Sequence, residues 1–225
     1  MRCLIGSMFR DSTGYLIQYF AQQELLAQLL EERGDTVRWV FCENESVDHT
    51  YASLTRWGAG RDVVVRTFAD GSPYYSSRDI PERWAHLADV ANVVLNEIRP
   101  VDDVFVWIEA DLLFDPQVIV DLVDALDDDR PIVAPLLLGM RGTFYDTWGT
   151  SVGGTKFKSS APFHRCMGSG EWVNADSSGG VVVAYARVAE QARYTPQEGY
   201  VGYARTLVAK GFPWALNLTK AVYHS

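Results

Sequence analysis

Apolar positions along this chain change period from one stretch to the next, and the changes predict its elements. Residues 3–8 are a short, largely apolar run of strand type, and over 15–32 the residues Leu16, Tyr19, Phe20, Leu25, Leu26, Leu29 and Leu30 recur at helical spacing. Gly34 is placed to stop that helix. Residues 37–42 predict a second strand that ends in the polar cluster Glu43-Asn44-Glu45-Ser46. A short helix over 47–56 and a valine-rich strand over 61–68 follow. Pro81 suits a first helical turn, and the amphipathic stretch 82–98 continues it. Residues 103–108 then form an apolar run fit for a strand buried on both faces, and it passes directly into Glu109-Ala110-Asp111. Pro116 opens a helix to 126, and 131–138 is a further buried strand. Strands alternating with helices in this way predict an α/β fold with a mainly parallel sheet flanked by helices.

After Gly139 the pattern dissolves: Gly, Ser, Thr and aromatic residues dominate to about residue 171, a length without periodicity that is usually functional or mobile. A strand over 180–185, a helix over 200–210 stopped by Gly211, and a last strand over 213–223 ahead of His224 complete the order. No internal repeat is present.

Composition narrows the classes. A chain of 225 residues with 48% hydrophobic and 22% charged residues can bury the core of a single domain. Its net charge of −9 disfavours a nucleic-acid partner, because such proteins neutralise phosphates with a basic face. Cys3, Cys42 and Cys166 are too few and too widely spaced for a disulfide framework or a zinc site, which fits a reducing compartment. The N-terminus lacks the features of a signal peptide and no run approaches the ~20 apolar residues of a membrane span, so a cytoplasmic protein, or a soluble domain cut from a larger one, is expected.

Glu109 and Asp111 carry the clearest chemistry. Ligands of open α/β sheets bind beyond the carboxyl ends of strands, and an i, i+2 spacing on extended chain puts both carboxylates on one side. There they can share a hard cation, or divide a cation and a ribose between them. The competing reading is an acidic pair that caps the helix opening at Pro116.

This order of elements, with an acidic cluster after the second strand and an apolar strand ending in an acidic-x-acidic triplet, resembles the GT-A glycosyltransferases, whose hallmark is Asp-x-Asp. Phe144-Tyr145-Asp146-Thr147-Trp148-Gly149 looks like the Tyr-Asp-x-Trp segment of fungal mannosyltransferases of the mannan-polymerase and capsule-associated kinds, and Gly179-Gly180 ahead of an apolar strand has counterparts there. The chain departs from the hallmark in having Glu109 at the first acidic position.

The resemblance implies a single-domain, Rossmann-like GT-A fold, with residues 1–138 binding a UDP- or GDP-sugar and 139–225 binding the acceptor, with Mn2+ or Mg2+ as cofactor. It makes Asp111 the direct metal ligand, Glu109 a contact to ribose or to metal-bound water, and His224 the residue that completes the metal site. Glu43 is matched to the nucleobase, and Arg83 and Asn92 to the diphosphate. Glu198 becomes the catalytic base of an inverting reaction, with Asp176 the competing candidate for acceptor contact, whereas the Tyr-Asp-x-Trp segment points to retention.

Structural readings stand beside these. Glu43 would be a solvated loop residue, Arg83 an exposed first-turn charge, Asn92 a buried amide in an apolar stretch, Glu198 a helix-start carboxylate favoured by the macrodipole, and His224 a surface histidine. The acceptor class, whether glycan, protein or modified nucleic acid, is left open. One rival function is a nucleotidyltransferase of related fold, for which Gly6-Ser7-Met8-Phe9-Arg10 makes a poor triphosphate loop. The other is a non-catalytic sugar- or protein-binding module, to which the rings of Phe144, Tyr145, Trp148, Phe157, Phe163 and Trp172 would be suited. P-loop, GxSxG and HExxH motifs are absent.

Overall fold

A computed structural model describes residues 1–75, 80–147, 149–156 and 170–224. The first half alternates as read from the sequence. Strand β1 (Arg2–Phe9) leads to helix α1 (Thr13–Glu32), β2 (Thr36–Glu43) to α2 (Thr50–Gly58), and β3 (Val63–Thr67) to α3 (Pro81–Leu95). Then come β4 (Val104–Ile108), the two-residue β5 (Leu112–Leu113), α4 (Pro116–Asp124) and β6 (Ile132–Gly139). The second half holds the hairpin β7 (Ser151–Val152) and β8 (Thr155–Lys156), then β9 (Trp172–Ala175) and β10 (Val181–Tyr185). The short helix α5 (Ala186–Ala189), helix α6 (Gly199–Ala209) and the long strand β11 (Trp214–His224) finish it.

Among the described residues the main sheet has nine strands in the order β3-β2-β1-β4-β10-β6-β11-β5, with β9 paired to β11. Strands β1, β2, β3, β4, β6 and β11 share one direction, whereas β5, β9 and β10 oppose it. The expected mainly parallel sheet is present. Its one unforeseen feature in the centre is β10, which enters antiparallel between β4 and β6.

Alternation along the central strands builds two cores. Cys3, Ile5, Val104, Val106 and Ile108 face α1 and α4, meeting Leu16, Leu26, Ile119 and Leu122. Leu4, Phe105 and Trp107 face the other way, onto Val90, Val94 and Leu207 of α3 and α6. A sheet covered on both faces needs apolar residues at every position, which is why β4 reads as an unbroken hydrophobic run.

The stretch that looked structureless holds some order. Gly139 and Thr143 close a turn, Phe144 bridges back to Leu138, and the β7–β8 hairpin follows. Cys166, Trp148, Phe157 and Phe163 lie outside the described residues. Among the described residues no helix is long and apolar enough to cross a membrane.

Candidate functional site

Because six strands point one way, their carboxyl ends gather along one edge of the sheet, and there they border a cavity of about 580 Å³. Residues following β1, β2 and β4 form one side of it, and the Gly179-Gly180 turn, Tyr200 and His224 form the other. Backbone strain marks this edge. Asp11 and Glu45, just past the ends of β1 and β2, both adopt left-handed φ (48° and 46°), unusual for residues with a side chain.

At the acidic end the Asp111 carboxylate and the imidazole of His224 meet at 3.0 Å. They meet because β11 pairs antiparallel with β5, which begins one residue after Asp111 and sets His224 opposite Leu112. The ring of Tyr145 stacks on the His224 ring, with centroids 4.0 Å apart and planes 17° from parallel. Glu109 sits deeper, and its N–H donates to Gly180 O. Burial, together with the charges of Asp111 and Asp146, pushes its carboxyl up to about 8, and the Arg83 guanidinium pulls weakly the other way. Burial and like charge thus favour the protonated form of the Glu109 carboxyl. Helix α4 is capped by Asp115, which accepts from Gln117 N–H. That leaves Glu109 and Asp111 without the capping role that was their competing explanation.

Asp146 ties the second half together. Its Oδ1 accepts from Gly149 N–H and the Tyr200 hydroxyl at 3.0 Å each, while Oδ2 accepts from the Thr150 hydroxyl (2.7 Å) and Gly179 N–H (2.9 Å). A carboxylate offers about four lone-pair directions, and these four donors fill them. Tyr200 packs so closely that a Cβ on Gly149 would lie 1.2 Å from its hydroxyl oxygen. Burial first, and then the Asp146 charge, hold the Tyr200 hydroxyl well above its ordinary value.

At the opposite end Asn44 and His86 are buried side by side. His86 Nδ1 faces Asp70 at 3.0 Å and so carries the proton, which leaves Nε2 to accept from Asn44 Nδ2 at 2.5 Å. The Asn44 carbonyl oxygen is buried with no hydrogen-bond partner among the described residues. Arg10 donates to the carbonyls of Ser72 and Pro73 and lies beneath Tyr74, fastening that segment beside the cavity.

No family model matches the chain, and no curated protein matches it either. Solved structures do. TarS from S. aureus superposes over 100% of this chain with a TM-score of 0.64 at 10% identity, and its complex with UDP-GlcNAc over 99% with a TM-score of 0.62 at 11%. The mannosyltransferase PcManGT from Pyrobaculum calidifontis, in complex with GDP-Man and Mn2+, matches over 98% with a TM-score of 0.63 at 11% identity. The fold is the GT-A fold. The chain spans only 60%, 58% and 56% of those three chains respectively, and at this level of identity the likeness concerns fold alone.

Within the GT-A fold, the predicted residues Glu109, Asp111, Arg83 and His224 all line the one cavity. Others predicted for the site have different engagements. Glu43 turns back to accept from Ser46 N–H at 2.6 Å, and its neighbour Asn44 lines the cavity instead. Asn92 clamps the backbone of Tyr194, donating to its oxygen (3.1 Å) and accepting from its N–H (2.9 Å), so its amide supports a cavity wall. Asp176 accepts from Gly154 N–H in the β7–β8 turn, and Glu198 pairs with Arg205 at 2.5 Å. Neither Asp176 nor Glu198 is among the lining residues. Spacing pointed to none of Arg10, Asn44 or His86, although a polar residue just past a buried strand end was the signal available for Asn44.

Proposed function

We propose that the protein is a metal-dependent glycosyltransferase that takes a nucleoside diphosphate sugar as donor. The observation that carries this reading is the Asp111–His224 pair inside the cavity at the strand ends. Adjacent octahedral positions around Mn2+ or Mg2+, with ligands at about 2.1 Å, lie ~3 Å apart, so a carboxylate and an imidazole at 3.0 Å suit one cation. Among the described residues no group of three or more such donors gathers, so the protein's two must be completed from elsewhere. Such ions are usually held by one or two side chains plus substrate phosphates, which a diphosphate donor supplies. The cation would neutralise charge on the departing diphosphate. Donors of this class accompany the fold in TarS with UDP-GlcNAc and PcManGT with GDP-Man.

The chain's own residues then divide the work. Residues 1–138 hold the donor. The buried Asn44 carbonyl, without a partner among the described residues, accepts from a ring N–H, which uracil and guanine both carry, and His86 with Asp70 fixes the amide's orientation. Glu109 meets a ribose hydroxyl, and Arg83 lines the cavity on the side of the diphosphate. Residues 139–225 form the acceptor side. With Glu198 held by Arg205 and Asp176 by the hairpin, the proton of the incoming hydroxyl passes to the leaving diphosphate, the course that retains configuration.

Thermal unfolding with UDP, GDP, UDP-GlcNAc and GDP-Man, each with and without Mn2+, tests the reading. A ligand at 100 times its Kd stabilises the native state by ~2.7 kcal/mol. One nucleotide series is expected to raise Tm in a Mn2+-dependent way, and Asp111→Asn to abolish that dependence while leaving the ligand-free Tm close to wild type. A full Mn2+-dependent shift in Asp111→Asn, or no shift with any nucleotide, would overturn it.

A further inference from the structure

His224 closes strand β11, with a quarter of its side chain exposed. An imidazole in such a place turns freely unless something fixes its plane. Three features fix it here. Strand β11 sets His224 opposite Gly139 of β6 as well as Leu112 of β5. The turn after β6 sends the chain back along that strand, where Phe144 bridges Leu138 and Tyr145 N–H donates to Leu137 O at 2.9 Å. Tyr145 is thereby delivered onto the imidazole face at 4.0 Å.

The residues on either side of Tyr145 are buried, Phe144 in the core and Asp146 saturated by its four donors, whereas Tyr145 itself is 48% exposed. Its ring adds little to the core. Its neighbours hold it at a fixed height against one group, and that group is the histidine facing Asp111.

We propose that Tyr145, anchored by Asp146, is the positioning residue of His224: stacking holds the imidazole with Nε2 toward Asp111 and thereby sets the cation affinity of the site. This rests on the reading of Asp111 and His224 as cation ligands. It gives the Tyr-Asp pair of the 144–149 segment two separate tasks, with Asp146 knotting the wall and Tyr145 orienting a ligand. The same arrangement excludes Asp146 as a proton acceptor, since its oxygens have no free direction.

The test compares wild type, Tyr145→Phe and Tyr145→Leu in two measurements. NMR of the metal-free protein reads the His224 ring protons, expected upfield in wild type and Tyr145→Phe and at ordinary positions in Tyr145→Leu. Mn2+ titration in the presence of UDP or GDP, followed by water-proton relaxation, is expected to show ~10- to 100-fold weaker binding in Tyr145→Leu, restored in Tyr145→Phe, as is usual when support of a metal ligand is lost. Displaced His224 signals with Mn2+ affinity unchanged would overturn the proposal and leave Tyr145 a direct contact to acceptor. Unmoved signals would overturn the stacking itself. If wild type takes up no Mn2+, the cation reading falls together with the affinity half, and the His224 signals alone decide the positioning half.

Discussion

Single carboxylates in this protein are distinguished less by their place in the sequence than by which donors reach them. Asp146 and Glu198 illustrate the two extremes: one is closed off by four hydrogen bonds, the other is held by a single guanidinium at the surface. A general base must lie within hydrogen-bond reach of the proton it takes, and Glu198 lies beside the cavity without lining it. Glu198→Gln is therefore expected to leave the transfer rate within a few-fold of wild type, with the product's anomeric configuration matching the donor's. A loss of ~two to four orders of magnitude, the usual worth of a general base, would restore Glu198 to that role and make the reaction inverting.

At the level of elements, Asp146 and Gly149, the Gly179-Gly180 turn and the start of α6 are joined into one wall of the cavity. Gly180 needs its φ of +80°, and Gly149 must lack a side chain because Tyr200 occupies the space a Cβ would take. Gly149→Ala should cost roughly 1–3 kcal/mol by overpacking. Chemical denaturation of Gly149→Ala in wild-type and Tyr200→Ala backgrounds checks this, since the cost should largely disappear once the ring is gone. An equal cost in both backgrounds would mean the two residues are not coupled.

For the whole molecule, the protonation of Glu109 connects the site to global stability. Its carboxyl is raised from 4.5 to about 8 on folding, so between those values the folded state keeps a proton that the unfolded chain has lost. Wild-type stability should accordingly fall as pH rises from about 4.5 to about 8 in the absence of ligand and level off above that. Asp48, Asp70 and Asp121 are shifted downward from 3.8 and act in the opposite sense. Each stabilises the fold above its unfolded value and loses that contribution as pH falls through its folded one, so their effect lies in the acid range below the Glu109 window. Urea unfolding across pH 5–8 should show the downward slope in wild type and a much flatter profile in Glu109→Gln. Parallel profiles would remove Glu109 as the cause.

The sequence by itself determined the order of elements in the first half, the two-sided burial of β4 and the place of Glu109 and Asp111 at its end, because each follows from local periodicity and from where a strand stops. It also marked His224 and the 144–149 segment, though not that they meet. Tertiary structure decided the rest. Residue β5 partners were invisible because two residues have no period, yet their pairing with β11 is what brings His224 to Asp111. The antiparallel entry of β10 depends on long-range pairing that no local pattern encodes. The choice of Asn44 over Glu43 for the cavity, and of Asp115 over Asp111 for the helix cap, turned on which nearby N–H each side chain could reach once the chain had folded. Residue types and spacing set out which groups could do chemistry, and competition for hydrogen-bond donors in three dimensions decided which of them line the cavity.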